Sequence, residues 1–367
     1  MPNRREMLQL SGAAALGLLA TGHGKASAGA SLLKIKAAGY PYDRVQAIKD
    51  GKAGIDQAEV SFHDSNIYTL NDLALGAKKT FEVTELGFIP FVTKYINDGF
   101  RGYIPIPVFI SRTFRHRNIY VHVDSGIEKP EDLRGRKVGT PGYGSSANTW
   151  VRGMLNDQYG VTAADIQWIE SRKSSDFKGT VSSTSGGGSR YQLPDDFPLV
   201  SGPPGVDESD LLLSGGCDAL ITPITPRAFM EGNPKIRQLF SPLKIAEQNY
   251  YRETGLFPIM HVVAVRADTA KEMPWLPAEV FRMYSEAKQA AYANLATTTV
   301  LRTTLPWVTE EYEETRRLMG DDYWRYGIEA NRKELEAVMR YTFEQGLVKE
   351  HGDFEEMFHP GTLYLNG

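Results

Sequence analysis

Pro130-Glu-Asp-Leu-Arg-Gly-Arg-Lys-Val-Gly-Thr-Pro-Gly-Tyr-Gly-Ser-Ser146 is the stretch on which the fold turns. Pro130 opens a short helical turn, and Gly135 provides the turn into a brief strand around Val138. That strand ends at Thr140, and a Gly/Ser loop then leads into a helical run over 147–159. A strand, a Gly/Ser loop and a helix start in this order aim several backbone N–H groups at one point. The helix N-terminus carries partial positive charge there, so the loop is an anion site by geometry.

Working outward, short β-like runs alternate with helical ones, which favours an α/β fold. On the N-terminal side, strands are expected over 33–38, 58–63, 81–86 and 104–110. Helices are expected over 42–50 and over 65–75, the second with Ser65 as N-cap. The apolar alternation Ile119 to Val123 leads out of this first unit. On the C-terminal side a strand is expected over 166–170. The stretch 171–209 is rich in Ser, Gly and Pro and reads as a flexible surface insert of low core value. Helix 210–214 and a buried strand over 217–222 follow, and Pro223 and Pro226 mark the way back. A strand over 258–266 and helices over 277–296, 310–319 and 330–345 complete the pattern. The expected organisation is therefore a first lobe from 32–120 and 226–300 and a second lobe from 121–225. A C-terminal helical segment, 301–367, packs on both, and a ligand cleft lies between the lobes.

Composition narrows the function. The chain has 367 residues, long enough for two lobes. Its 41 Lys and Arg against 45 Asp and Glu give a charge of −4, which supplies no general drive toward nucleic acid or an anionic membrane. Cys217 stands alone, so an intrachain disulfide and a thiolate metal cluster are both excluded. The sequence holds no G-x-x-x-x-G-K-[ST] loop, no H-E-x-x-H and no G-x-S-x-G elbow. No run reaches the roughly 18 to 20 apolar residues of a membrane-spanning helix, so the chain is not expected to be an integral membrane protein.

At the N-terminus, Arg4-Arg5 precedes an uncharged stretch from Leu10 to Ala20, and Ala26-Ser-Ala28 follows. These parts match a twin-arginine export signal over 1–28, which implies a periplasmic protein that folds before export.

Asp132-Leu-Arg-Gly-Arg-Lys-Val-Gly139 resembles the start of the second lobe in type II periplasmic binding proteins. More specific are Tyr42-Asp-Arg44, Pro107-Val-Phe-Ile-Ser-Arg-Thr-Phe-Arg-His116, Ala147-Asn-Thr-Trp-Val-Arg-Gly153 and Tyr250-Tyr251. With them go Thr254-Gly-Leu-Phe-Pro-Ile-Met-His261, Leu305-Pro-Trp307 and Met319-Gly-Asp-Asp-Tyr-Trp-Arg-Tyr-Gly-Ile-Glu-Ala-Asn-Arg332. This series is similar to the 4,5-dihydroxyphthalate decarboxylase family, over about residues 35 to 360. The resemblance implies a two-lobed type II periplasmic-binding-protein-like fold put to catalytic use.

Candidate residues follow from chemistry. Arg112 and Arg115 each offer a planar fork for a carboxylate, and strand alternation keeps the two from facing the same way. His116 and His261 are the candidate proton donors, because an imidazole titrates near neutrality; His63 is a weaker third. Ser145, Ser146 and Asn148 lie at the start of the 147–159 helix, and Arg152 is on the same face as Asn148. Tyr42, Asp43 and Arg44 follow the first strand, at the strand end where ligands sit in open α/β sheets. Glu85 ends a buried strand and is a candidate cleft carboxylate.

Two functions fit. One is non-oxidative decarboxylation of a hydroxylated, phthalate-like aromatic carboxylate, with an Arg fork, a His acid and no cofactor. The other is an exported solute-binding protein that hands a small carboxylate or aromatic acid to an ABC-type permease.

Overall fold

The computed structural model describes residues 32–171 and 191–367. The export signal expected over 1–28 and residues 172–190 of the expected insert lie outside the described residues. The strands are β1 Leu33–Gly39, β2 Ala58–Asp64, β3 Val83–Gly87, β4 Tyr103–Arg112, β5 Ile119–His122 and β6 Lys137–Thr140, then β7 Gln167–Glu170, β8 Leu199–Ser201, β9 Ala219–Ile221, β10 Ile236–Gln238 and β11 Ile259–Arg266. The helices are α1 Gln46–Lys49, α2 Ile67–Leu75, α3 Phe88–Asp98, α4 Ser146–Tyr159, α5 Glu208–Leu213 and α6 Arg227–Met230, then α7 Leu243–Thr254, α8 Ala267–Glu272, α9 Leu276–Leu295, α10 Val308–Met319 and α11 Arg332–Glu344.

The first sheet has the order β2-β1-β3-β11-β4. Strands β1, β2 and β3 are parallel, while β11 returns from the far end of the chain and runs antiparallel between β3 and β4. Every residue of β3 is buried, as expected for a central strand covered by helices. The second sheet has the order β10-β5-β9-β6-β7-β8. Each sheet carries its own helices, and together they form a two-lobed α/β architecture. The second sheet runs on to β10, which pairs antiparallel with β5. The return crossing therefore lies after Gln238, not at Pro226, and β5 already begins the second sheet at Ile119.

Helix α3 is absent from the sequence reading, and the reason is visible. Seven of its residues are buried, and it opens on the continuous apolar run Phe88-Ile-Pro-Phe-Val92, which periodicity alone does not tell from a buried strand. Pro90 sits in the first turn, where a missing N–H costs nothing. Helix α7 is a second addition. Asn66, not Ser65, caps α2, its side chain accepting from Thr69 N at 3.1 Å.

The expected low-core insert is corrected from Tyr191 onward. Tyr191, Leu193, Phe197 and Leu199 pack against the main apolar core. Residues Leu199–Ser201 form β8, parallel to β7, and Asp207 caps α5 by accepting from Asp210 N at 2.9 Å. Ser/Gly/Pro composition had masked these apolar side chains.

The C-terminal helix α11 rests on both lobes. Glu334 pairs with Arg112 of β4 at 2.7 Å, with both side chains buried. One turn and more along, Arg340 and the Tyr341 hydroxyl both bond Asp157 of α4 at 2.5 Å. Gly153 of α4 lies directly under the Tyr341 ring, and a Cβ there would collide with it. Trp150 donates to Ile259 O at 2.8 Å, which ties α4 to β11 across the lobes.

Candidate active site

The cleft between the lobes holds a pocket of about 90 Å³ that opens to solvent. Its walls come from the carboxyl ends of β3 and β6 and from the starts of α2, α3 and α4. Ile67, Gly87, Pro90, Ser145, Ser146 and Ala147 all face it. Three helices therefore begin at one cavity, and each brings partial positive charge and first-turn N–H groups without an intrahelical partner. Ser145 caps α4 by accepting from Asn148 N at 3.2 Å. The Ser146 hydroxyl accepts from Ile89 N of α3 at 3.3 Å, so the two helix starts touch across the cleft.

Arg115 adds a full charge. It lies on the crossing between β4 and β5 and lines the pocket. Its Nε donates to the Met260 sulfur at 3.0 Å and its Nη1 to Asn118 Oδ1 at 3.3 Å. Among the described residues no carboxylate forms an ion pair with it. Burial first, and then Arg117, push its guanidinium down to about 9, which still leaves it cationic at neutral pH. A partly buried cation without a carboxylate is a site that an anionic ligand completes.

His261 enters the same pocket from β11. Its Nδ1 lies 2.5 Å from Glu85 Oε1. Glu85 also accepts from Tyr40 N at 2.9 Å and from the Tyr42 hydroxyl at 2.8 Å, and is 1% exposed. A buried carboxylate that takes donors on both oxygens is satisfied as an acceptor. We therefore assign the imidazole proton to Nδ1, which leaves Nε2 for the pocket. The Tyr40 ring stacks on His261 with centroids 6.1 Å apart and planes at 16°. Gly39 makes room for this arrangement: a Cβ there would stand 2.9 Å from Glu85 Oε2.

The remaining sequence candidates sit elsewhere. Arg112 points into the core, where it bonds Glu334, Asn331 Oδ1 at 2.6 Å and Phe257 O at 2.6 Å. Its fork is fully used, so it is corrected from ligand holder to lobe brace. Arg152 is buried in the second lobe, bonding Gln345 Oε1 and Tyr143 O, each at 2.7 Å, and does not reach the pocket. Asn148 is buried below the loop and bonds Thr140 Oγ1 and Gly142 O, each at 2.8 Å. Tyr42 and Glu85 stand one layer behind His261, and Arg44 one layer further out. His63 is remote, against Phe81.

Residues 110–185 match the NMT1/THI5-like family. The chain is 34% identical over 335 residues to a 4,5-dihydroxyphthalate decarboxylase of Comamonas testosteroni, covering 91% of this chain and 98% of that one. The chain belongs to the 4,5-dihydroxyphthalate decarboxylase family. A decarboxylase of the same name from Pseudomonas putida is 32% identical over 211 residues, which cover 58% of this chain and 78% of that one. Among solved structures, the periplasmic aliphatic sulphonate binding protein SsuA of Escherichia coli aligns at a TM-score of 0.49 and 15% identity, over 91% of this chain and all of that chain. The desulfurization enzyme DSZB aligns at 0.44 and 16%, over 90% and 97%.

In this decarboxylase-family chain, His116 is the clearest departure from the sequence reading. It is 2% exposed, edge-on to Phe240 and Tyr250, and its Nδ1 has no hydrogen-bond partner. It is not part of the pocket wall and is corrected from proton donor to core residue. Burial pushes its pKa down to about 4. The unfolded value is near 6.5, so on acidification the unfolded chain takes up the proton first. Stability present above pH 6.5 is then lost as pH falls toward 4, up to about 3 kcal/mol. Replacing His116 by Phe is expected to remove that share of the acid sensitivity, measured by denaturant unfolding at pH 7 and pH 5. An unchanged difference between the two pH values would contradict the assignment.

The sequence reading passed over Tyr40, Met260 and Gly142. Tyr40 was within reach, since it directly follows β1 at the strand end where ligands gather. Gly142 stands in the Gly/Ser loop already read as an anion site, while Met260 carries no signal that separates it from ordinary packing.

Proposed function

We propose that this chain is a carboxy-lyase that removes CO2 from a hydroxylated, phthalate-like aromatic carboxylate bound between the lobes. One observation carries the reading: His261, oriented by a buried carboxylate, opens onto the same pocket as an unpaired arginine. Family membership supports it.

The chemistry balances with one proton. Protonated His261 gives its Nε2 proton to the ring carbon that bears the carboxylate. A ring hydroxyl ortho or para to that carbon supplies electron density. The C–C bond then breaks, its electron pair returns to the ring, and neutral CO2 leaves. Water restores the proton to His261. The reaction calls on no cofactor. An anion becomes a neutral gas in this step, so the departing carboxylate gains from the apolar wall of Pro141, Pro223 and Met260. A second carboxylate, where present, is held by Arg115 and the helix starts.

Incubation of purified protein with 4,5-dihydroxyphthalate and with hydroxybenzoates, scoring CO2 and thermal shift together, tests the proposal. Release of CO2 supports it; a thermal shift without CO2 overturns it.

The N-terminal segment favours the second reading, a binder that serves an ABC-type permease, because it matches an export signal. We propose export to the periplasm on the same ground. Changing Arg4 and Arg5 together to Lys is expected to hold the precursor in the cytoplasm, read by cell fractionation. An unchanged periplasmic yield removes the twin-arginine claim.

A further inference from the structure

We infer that Tyr42 and Arg44 are positioning residues that aim His261 through Glu85. The inference rests on the proposed role of His261.

The contacts form one continuous series. Glu85 Oε1 is shared between His261 Nδ1, at 2.5 Å, and the Tyr42 hydroxyl, at 2.8 Å. The other oxygen is held by Tyr40 N. The position of the Tyr42 hydroxyl thus sets where Oε1 lies, and Oε1 sets the tilt of the imidazole. Burial, and then the nearby Glu85 charge, raise the Tyr42 phenol above its ordinary range, so it stays a proton donor.

Tyr42 is fixed from behind. The Arg44 guanidinium lies 3.9 Å from the Tyr42 ring centroid and 4.1 Å from that of Trp324. Its Nε donates to Ile110 O at 2.7 Å, and Trp324 Nε1 donates to Phe109 O at 3.0 Å. Both anchors are backbone carbonyls of β4, the strand beside β11. Among the described residues, the one carboxylate that pairs with Arg44 is its exposed neighbour Asp43, at 3.3 Å. A guanidinium held between two rings is planar and stacked, an arrangement a lysine ammonium cannot copy. The loop after β1 was expected to touch the ligand directly. Its geometry instead places it behind the proton donor, where small displacements change the aim of Nε2.

Two variants separate positioning from packing. Tyr42→Phe keeps the ring that Arg44 covers and removes only the hydroxyl. Arg44→Lys keeps the charge and removes the stack. The first readout is the proton NMR resonance of the His261 Nδ1–H in the ligand-free protein, which reports the hydrogen bond to Glu85 whatever the reaction. The second is kcat and KM for CO2 release from 4,5-dihydroxyphthalate. Both variants are expected to move the resonance, lower kcat about tenfold and leave KM within about twofold, since misaim costs rate more than binding. An unmoved resonance with unchanged kcat in Tyr42→Phe overturns the inference. So does a loss of thermal stability with the resonance unmoved, which is the signature of packing alone. If the wild type releases no CO2, the decarboxylase reading falls, while a moved resonance still supports the positioning role.

Discussion

Replacing His261 by Gln is expected to leave ligand binding in place and to cut CO2 release by about 10²- to 10⁴-fold. Gln is the informative choice. Its amide can still donate to Glu85, so the buried carboxylate keeps a partner and the fold is spared an unpaired charge. What Gln lacks is a proton that it can give up near neutrality. A loss in kcat with an unchanged thermal shift therefore assigns the proton transfer to this position. Equal losses in binding and rate would instead mean that the substitution had collapsed the pocket. Turnover within a few-fold of wild type would remove His261 from the chemistry.

Replacing Arg115 by Ala acts on the other half of the site. The expected loss is about 2 to 5 kcal/mol in binding of an aromatic carboxylate, roughly 30-fold to several thousandfold in Kd. The range is large because, among the described residues, Arg115 forms no ion pair with a carboxylate. Its charge is committed to the pocket, and the ligand supplies the missing partner. Arg115→Lys should recover only part of the loss, since an ammonium cannot make the two parallel bonds of a guanidinium. Calorimetric titration with 4,5-dihydroxyphthalate measures both. An affinity within twofold of wild type for Arg115→Ala would place the carboxylate on the helix starts alone.

Much of the architecture was legible in the sequence because it rests on local signals. The loop from Thr140 to Ser146 reads correctly as a helix start, since Gly, Ser and the following helix are contiguous, and it lines the pocket. The misread parts depend on partners distant in the chain. Helix α3 opens on a short, unbroken apolar run, which reads as readily as a strand until its packing is seen. The stretch after Tyr191 was judged by its Ser and Gly content, while its few apolar residues decide where it packs. The same limit governs the site. Strand alternation does not apply to Arg112 and Arg115, since β4 ends at Arg112 and Arg115 lies on the crossing; Glu334, 222 residues away, claims Arg112. The arginines beside His116 favoured it over His261 as a proton donor, and the fold reverses that order. Glu85 separates them, and its contact with His261 spans 176 positions. Tyr42, Arg44 and Glu85 belonged on the candidate roll, but only the fold reveals that they stand in layers behind one histidine.

The central claim is that His261 delivers a solvent-derived proton to the ring carbon that loses CO2. Its most direct test is the reaction of 4,5-dihydroxyphthalate with wild-type and His261→Gln protein in D2O, at several values across roughly pH 5 to 8, where an imidazole changes charge. Product is followed by NMR and mass spectrometry. The account predicts that wild type forms product with one deuterium on the carbon that carried the carboxylate, and that His261→Gln binds the substrate but forms little product. Recovery of intact substrate from wild type at every pH, or equal rates in the two proteins, would contradict it.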